Sequence, residues 1–194
     1  MIDIKNITGI VLAGGKSSRM GTDKGFLKLN GKPFVQYSLD ALKPLVSEII
    51  IVSDDINYDT FGFKRINDST KNAGPVAGIC AGLEASSTDY NLILSCDIPL
   101  INSNILLQLI ESIDDTSEII QIESNGKTMP LIALYHTSCK DKFSKLLKED
   151  ERRLRVALNT CKTKNVILKN ENAMFTTNVN TKEELKRIKD AYKS

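Results

Sequence analysis

The sequence predicts an α/β fold: a doubly wound, mostly parallel sheet with helices on both faces. Short apolar runs, typical of buried strands, alternate with segments in which apolar residues recur at helical spacing. This alternation indicates strand–helix–strand units. The dipeptide Asn125-Gly126 interrupts it between two strand-like runs and predicts a hairpin. We therefore expect one antiparallel strand within the sheet.

Six strands and five helices are predicted in order along the chain. The strands are the apolar runs 8–13, 48–52, 90–95, 118–123, 131–135 and 165–168. The helices are 33–45, 76–85, 102–113, 139–148 and a last one from the capping box at 181–184 to about residue 192. Pro33 suits the first turn of the first helix, and Asn102 or Ser103 suits the cap of the third. In such a Rossmann-like sheet, binding sites collect at the carboxyl ends of the strands.

The composition limits the classes of function. The 194 residues contain 26 Lys and Arg against 24 Asp and Glu, a net charge of +2. This length predicts a single domain over residues 1–194 with a buried core. The near balance of charge argues against nucleic acid or an anionic membrane as a partner. Since no apolar run reaches bilayer-spanning length and no signal-peptide pattern precedes the first strand, we expect a cytoplasmic protein.

The cysteines and the single histidine do not form a recognisable metal motif. The cysteines are widely spaced, without a CxxC pair, at Cys80, Cys96, Cys139 and Cys161. This spacing argues against a zinc site or a disulfide framework and predicts core cysteines that behave as small apolar residues. His136 ends an apolar run and is expected to be structural.

The segment 12–24, Leu-Ala-Gly-Gly-Lys-Ser-Ser-Arg-Met-Gly-Thr-Asp-Lys, is the most informative part of the chain. It follows a buried strand and combines two adjacent glycines with three cations, namely Gly14, Gly15, Lys16, Arg19 and Lys24. Glycines let backbone N–H groups approach an anion, and the cations neutralise phosphate oxygens. The segment therefore predicts a loop that binds a triphosphate.

Two common phosphate loops do not fit this segment. The dinucleotide fingerprint GxGxxG fails because Gly14 and Gly15 are adjacent, and the P-loop fails because its first glycine would fall on Ile10. The alternative is a tight turn whose charges are solvated, but such a turn would not require the specific residues that this segment has at so many positions. The pattern L-A-G-G-x-S-x-R-M-G-x-x-K resembles the signature of nucleotidyltransferases that activate sugars, isoprenoid precursors and the molybdenum cofactor.

Three downstream segments narrow this resemblance. Asp68 precedes the run Gly-Pro-Val-Ala-Gly at 74–78, the run Ser-Cys-Asp-Ile-Pro occupies 95–99, and Asn-Val-Asn-Thr at 178–181 precedes a Glu-rich helix start. Together with the first loop they are similar to the MobA family of molybdenum cofactor guanylyltransferases, from residue 8 to about residue 190. The resemblance implies transfer of GMP from GTP to the phosphate of molybdopterin, giving molybdopterin guanine dinucleotide and pyrophosphate.

The resemblance also implies site residues, carried over position by position. The nucleotide-binding positions are Leu12, Ala13, Gly14, Gly15, Lys24, Asp68 and Asp97. The catalytic positions are Arg19, Lys24 and Asp97, and Asp97 would also hold Mg²⁺. The acceptor-binding positions are Gly78, Asn178 and Asn180. Transient contacts with cofactor-synthesis proteins and molybdoenzyme acceptor proteins are expected of such an enzyme.

The chemistry agrees with these residue types. A phosphate oxygen is already anionic and attacks without a general base, so positioning and cations carry most of the catalysis. Asp97 follows the strand 90–95 and should emerge at the carboxyl edge of the sheet, where one carboxylate suffices for Mg²⁺ that keeps several waters. Asp23 is expected to be a loop carboxylate rather than a second metal ligand.

Several positions depart from the family and leave alternatives open. Family members often have Asn near the end of the second strand, where this chain has Ser53 and Asp54. Some relatives have His-Pro-Thr where this chain has Met129-Pro130-Leu131, so the polar side chains that could contact the acceptor are absent at 129 and 131. The Arg pair at 152–153 is either a family feature or a surface charge pair. A cytidylyl- or sugar-phosphate nucleotidyltransferase, or a non-catalytic nucleotide-binding regulator, would share the first loop. The run Cys-Asp-Ile-Pro at 96–99 favours guanine.

Overall fold

The computed structural model describes residues 6–14, 23–68 and 74–191. Within these residues the chain forms nine strands, which are β1 (Ile7–Leu12), β2 (Lys28–Leu29), β3 (Lys32–Pro33), β4 (Glu48–Val52), β5 (Lys64–Ile66), β6 (Tyr90–Ser95), β7 (Ile119–Ser124), β8 (Lys127–His136) and β9 (Thr163–Ile167). Six α-helices are described, which are α1 (Phe34–Leu42), α2 (Pro75–Ala85), α3 (Ser103–Glu111), α4 (Cys139–Lys148), α5 (Leu154–Leu158) and α6 (Lys182–Ala191).

The main sheet has seven strands in the order β5-β4-β1-β6-β8-β7-β9. Strand β8 pairs antiparallel with both β6 and β7, whereas the remaining pairs in this sheet are parallel. The predicted α/β class, with one antiparallel strand in a mostly parallel sheet, is therefore confirmed. Strands β2 and β3 form a separate two-stranded sheet.

The hairpin between β7 and β8 forms where the sequence predicts it. Ser124 pairs with Lys127, so the turn consists of Asn125 and Gly126 alone. Both residues have positive φ angles, 52° and 70°. A two-residue turn with this left-handed geometry matches the right-handed twist of the strands, and Asn-Gly adopts it at low cost.

Helices cover both faces of the sheet. Helix α1 contributes Leu39 and Leu42 to a core that includes Val11 of β1, and α3 contributes Leu106 to the same core. On the opposite face, α2 and α4 pack with Ile10 of β1. Alternate residues of β1 thus reach opposite cores, as the two-residue repeat of a strand requires.

Helix α2 lies directly against β1, and this contact positions its first turn. A Cβ atom on Gly82 would fall 2.7 Å from Cγ2 of Ile10, so the glycine permits the close approach. One turn earlier, a Cβ atom on Gly78 would meet Leu12 at 3.3 Å. The amino-terminal end of α2 therefore lies at the carboxyl end of β1.

Pro33 is placed differently from the prediction. The first helix begins at Phe34, and Pro33 is its N-cap with an extended ψ of 148°. Pro33 pairs instead with Lys28 in the small sheet, and the Phe34 amide donates to the Leu27 carbonyl at 2.8 Å. The prediction that Pro33 lies in the first helical turn is wrong, because Pro33 belongs to the strand β3 that precedes the helix.

The cap of α3 and the capping box of α6 follow the sequence closely. Asn102, not Ser103, is the N-cap of α3, and its side chain accepts from the amide of Ile105 at 3.2 Å. At α6 the Glu184 amide donates to the Thr181 hydroxyl, and the Glu184 carboxylate accepts from the Thr181 amide. This reciprocal pair is the predicted capping box. Among the helices of the described residues, none has the length and apolar character that crossing a bilayer requires.

Candidate active site

Three loops meet at the carboxyl edge of the sheet. Leu12, the last residue of β1, is level with Val52 of β4 on one side and with Ser95 of β6 on the other. The Ala13 amide then donates to the Val52 carbonyl, and the Cys96 amide donates to the Leu12 carbonyl. The segments that follow the three strands therefore start side by side, as in other open parallel sheets.

These loops and the start of α2 enclose a cleft of about 530 Å³. Its lining is Leu12, Ala13, Gly14, Asp23, Val52, Ser53, Asp54, Asp55, Asp68, Gly74, Pro75, Gly78, Ser95 and Leu131. Four of the predicted nucleotide-binding residues lie in this lining, namely Leu12, Ala13, Gly14 and Asp68. Gly14 has a φ of 99°, and a Cβ atom there would lie 3.1 Å from the Ser53 hydroxyl. Backbone of this kind allows a ligand to approach closely.

Asp97 is held at this edge by two side chains and one backbone contact. The Ser95 hydroxyl donates to Oδ1 of Asp97 at 2.6 Å, and the Lys24 ammonium lies 3.3 Å from Oδ2. The Val179 amide donates to the Asp97 carbonyl at 2.8 Å. The Asp97 side chain is 13% exposed, so it is largely buried but still reaches the surface.

The structure brings three predicted residues together that are far apart in the chain. The Lys24 ammonium contacts the Asp97 carboxylate and also donates to the side-chain oxygen of Asn180. Asn180 lies one residue beyond Val179, which is fully buried and hydrogen-bonded to Asp97. Asn178, which precedes Val179, has a buried Oδ1 with no hydrogen-bond partner among the residues described.

Gly78 lies with the nucleotide residues. It lines the cleft next to Leu12 and Val52, whereas Asn178 and Asn180 belong to the segment that contacts Asp97. The predicted acceptor residues are thus divided between two parts of the edge. The remaining loop positions Gly15, Lys16, Arg19 and Gly21 lie outside the residues that the structure describes.

A buried tyrosine fixes the backbone on both sides of Lys24. The Tyr58 hydroxyl donates to Oδ1 of Asp23 at 2.7 Å, and the same oxygen accepts from the Gly25 amide at 2.9 Å. Tyr58 is fully buried, and its ring centroid lies 4.5 Å from that of Phe26. Burial, together with the neighbouring carboxylate of Asp23, raises the pKa of Tyr58 far above its usual value, so the hydroxyl remains a donor.

Sequence reasoning missed this role of Tyr58. The residue lies in a polar stretch, Asp-Ile-Asn-Tyr-Asp-Thr at 55–60, which shows neither strand nor helix periodicity. In the structure it belongs to a 3₁₀-helix, Ile56–Phe61. Asp23, in contrast, is a loop carboxylate as expected: it caps a second 3₁₀-helix, Lys24–Phe26.

Gly25 has no room for a side chain, and this gives a first testable prediction. A Cβ atom on Gly25 would lie 2.1 Å from the Tyr58 hydroxyl and 2.9 Å from Cζ. We expect Gly25→Ala to lower the free energy of unfolding by about 1–3 kcal/mol, because overpacking forces the neighbours apart. Turnover should fall as well, because Lys24 is attached to the displaced backbone. Denaturant unfolding and steady-state kinetics measure the two effects.

The control for this prediction removes the hydroxyl and keeps the glycine. Tyr58→Phe loses the hydrogen bond to Oδ1 of Asp23 but keeps the ring beside Phe26, so it should lower turnover without the overpacking that Gly25→Ala introduces. Normal turnover in Tyr58→Phe would contradict the assignment of Tyr58 as the residue that positions Lys24.

The residues around Asp97 fit a divalent cation of the magnesium type. Mg²⁺ takes oxygen ligands, retains several waters and needs only one or two carboxylates when phosphate oxygens complete its shell. Oδ2 of Asp97 already faces a positive charge, the Lys24 ammonium at 3.3 Å. Ser95 orients the other oxygen. The arrangement leaves one oriented carboxylate for a cation that arrives with a phosphate.

Other residues singled out by the sequence lie apart from this carboxylate. His136 pairs with Tyr90, at the opposite end of β6 from Ser95, and its Nδ1 contacts the Ser138 hydroxyl at 2.9 Å. Arg152 forms an ion pair with Asp150 at 2.7 Å, although its carbonyl lies 3.8 Å from the position of a Cβ atom on Gly74. Its backbone thus approaches the cleft.

Comparison with known proteins finds relatives that match most of this chain. The family model described as "MobA-like NTP transferase domain" matches residues 9–165. A protein of Flavobacterium johnsoniae named "Probable molybdenum cofactor guanylyltransferase" is 32% identical over 182 residues, 94% of this chain and 96% of that protein. The "Molybdenum cofactor guanylyltransferase" of Yersinia pestis is 36% identical over 180 residues, 91% of each chain.

A solved structure shows the same fold. The crystal structure of "Molybdopterin-guanine dinucleotide biosynthesis protein A" from Archaeoglobus fulgidus superposes with a TM-score of 0.82 at 22% identity, over 96% of this chain and 98% of that one. The resemblance read from the loop at 12–24 and the downstream segments is confirmed. The matched sequence, and a fold that places Lys24 beside Asp97, lead to one conclusion: this chain belongs to the MobA-like NTP transferase family.

Proposed function

We propose that the chain transfers GMP from GTP to the phosphate of molybdopterin, forming molybdopterin guanine dinucleotide and releasing pyrophosphate. The observation that carries the proposal is the meeting of Lys24, Asp97 and Asn180 beside the cleft at the carboxyl edge of the sheet. The curated relatives named molybdenum cofactor guanylyltransferase support this choice of substrates.

The cleft supports guanine as the base. Among the described residues, four aspartates line it, namely Asp23, Asp54, Asp55 and Asp68. Asp55 accepts from the amide and the side chain of Asn57, and Asp54 accepts from the Asp68 amide at 3.2 Å. A carboxylate accepts several hydrogen bonds, and guanine presents two adjacent donors, N1–H and the 2-amino group. Asp54, two residues beyond the end of β4 at Val52, is therefore the candidate base contact in place of the family's usual Asn.

The reaction needs charge neutralisation rather than a base. The attacking group is an oxygen of the pterin phosphate, which is ionised near neutral pH, and the lining of the cleft among the described residues includes neither histidine nor cysteine. Two anionic groups must nevertheless approach each other. Prearranged cations and dipoles stabilise the charge that builds up on the leaving pyrophosphate.

Lys24 and Asn180 would take different parts in this step. The Lys24 ammonium would leave Asp97 for the phosphate oxygens of GTP, and Asn180 would steady it, because its side-chain oxygen accepts from the same ammonium. The unpartnered oxygen of Asn178 is a candidate acceptor of a hydrogen bond from the pterin substrate. The proposed acceptor role of Gly78 and the catalytic role of Arg19 rest on the family resemblance.

Asp97 would hold Mg²⁺, which supplies Lewis-acid polarisation of the phosphate oxygens when bound. The chain's own contribution is orientation. Ser95 fixes one carboxylate oxygen, and the Val179 amide fixes the backbone of Asp97. Asp97 thereby presents Oδ2 to the region where Lys24 now lies.

The direct test uses the purified chain with GTP, Mg²⁺ and molybdopterin. Pyrophosphate and molybdopterin guanine dinucleotide should appear in equal amounts, and GTP should compete better than CTP or UTP. A cytidine or uridine dinucleotide product would show that the base in the proposal is wrong, although the type of reaction would stand. Binding of GTP with no pyrophosphate from any phosphorylated acceptor would instead indicate a nucleotide-binding regulator.

A further inference from the structure

Two cysteines that the proposed reaction does not use face each other outside the cleft. Cys139 is the first residue of α4 and is fully buried, whereas Cys161 lies between α5 and β9 and is partly exposed. Their sulfur atoms lie within 4.8 Å of each other and of a carboxylate oxygen of Glu118. Cys80 is buried on α2, where its thiol donates to the Lys140 carbonyl at 3.8 Å, and Cys96 is buried in the core on the opposite face of the sheet.

The two thiols are chemically unequal. The nearness of the two sulfurs, together with burial, raises the pKa of Cys139, whereas the same nearness lowers the pKa of Cys161. Burial opposes this lowering of the Cys161 pKa, whereas the Thr160 hydroxyl and the Lys142 ammonium add to it. The thiolate therefore forms on the exposed partner, and the thiolate is the form that attacks disulfides.

Glu118 argues against a metal ion at this position. Lys142 contacts both of its carboxylate oxygens, at 2.8 and 2.7 Å. The Ser138 hydroxyl and the Lys162 amide donate to the same carboxylate at 3.1 and 3.0 Å. A divalent cation would have to displace Lys142 and these donors, whereas a reaction between the two sulfurs leaves them in place.

We propose that Cys139 and Cys161 form a redox-active dithiol that exchanges with small-molecule disulfides. The Cys161 thiolate attacks one sulfur of the small disulfide, whose S–S bond breaks and releases one thiolate. Cys139 then loses its proton to solvent and attacks the Cys161 sulfur, which expels the second thiolate. Two protein thiols are oxidised to one disulfide, and one small disulfide is reduced to two thiols.

The geometry suits closure of this bond. A disulfide requires sulfur atoms about 2.04 Å apart, so the pair must approach from within 4.8 Å. Cys161 follows the short helix α5 in a turn that its amide closes on the Leu158 carbonyl at 3.0 Å. We expect closure to need rotation of the Cys161 side chain and adjustment of this turn. This inference goes beyond the proposed reaction and does not depend on it.

Oxidised glutathione is a suitable probe for the full-length chain. After incubation, acid quenching, unfolding and alkylation, mass spectrometry should show a disulfide between the peptides of Cys139 and Cys161, with Cys80 and Cys96 alkylated. Because a new cross-link restricts the unfolded chain, the oxidised protein should melt at a higher temperature, and dithiothreitol should reverse the shift.

Three variants separate the steps of the exchange. Cys139→Ser should stop at a mixed disulfide between Cys161 and glutathione, and Cys161→Ser should not react. Cys96→Ser removes a thiol buried in the core on the opposite face of the sheet, and it should form the disulfide between Cys139 and Cys161 like the wild-type chain. The proposal would be overturned if the wild-type chain kept Cys139 and Cys161 as thiols, accumulated only the mixed disulfide, or formed a different pair.

Discussion

Asp97→Ala is expected to lower turnover by about 100- to 1000-fold, the usual loss when one oriented electrostatic group is removed from an active site. The variant removes the acceptor of the Ser95 hydroxyl and the carboxylate beside the Lys24 ammonium. Since we propose Asp97 as the magnesium ligand, the Mg²⁺ concentration needed for half-maximal rate should also rise. Steady-state kinetics over a Mg²⁺ series measures both quantities.

A matched control separates the carboxylate's role from a general loss of charge. Asp114 forms a comparable ion pair with Lys164 at 3.0 Å, apart from the lining of the cleft, and this contact holds the pKa of Asp114 well below its usual value. Asp114→Ala should therefore leave turnover nearly unchanged. Near-normal turnover and unchanged Mg²⁺ dependence in Asp97→Ala would remove Asp97 from the mechanism.

Lys24→Ala is the second substitution with a large expected effect. Its ammonium contacts Asp97 and Asn180 in the structure, and we propose that it moves to the phosphates that leave as pyrophosphate. Turnover should fall by about 100-fold or more, because a cation aimed at developing charge is lost. Lys24→Arg should recover only part of this loss, because a planar guanidinium does not place its charge where a compact ammonium does.

The control for this second prediction again uses the ion pair between Asp114 and Lys164. Lys164→Ala removes a lysine that contacts Asp114 and the Ser112 carbonyl, and it should not affect turnover. Product assays and GTP titration of both lysine variants complete the comparison. The assignment of Lys24 would be wrong if Lys24→Ala retained both the GTP affinity and the rate of the wild-type chain.

The sheet could be predicted because its central strands are buried on both faces. The apolar runs at 48–52 and 90–95 coincide with β4 and β6, and the Asn125-Gly126 turn predicts the hairpin that makes β8 antiparallel. Short elements escaped prediction. Strand β5 has only three residues, two of them charged, and α5 has only five, so neither shows a measurable periodicity.

The candidate site could be predicted only in part. The residue types in the loop at 12–24 and Asp97 indicate phosphate and metal chemistry, but sequence spacing does not show that Asn180 meets Lys24 across 156 positions. That meeting depends on Val179, whose buried side chain and amide dock the segment after β9 onto Asp97. The contact of Tyr58 with Asp23 is likewise a product of tertiary packing, which local sequence patterns do not encode.

The most direct test of the account is a crystal structure of the chain with Mn²⁺ in place of Mg²⁺ and a GTP analogue that carries a methylene between the α and β phosphorus atoms. We predict an anomalous peak at the Asp97 carboxylate, with the Lys24 ammonium on the analogue's phosphates. An ordered analogue whose metal lies away from Asp97, with Lys24 still paired to that carboxylate, would contradict the account.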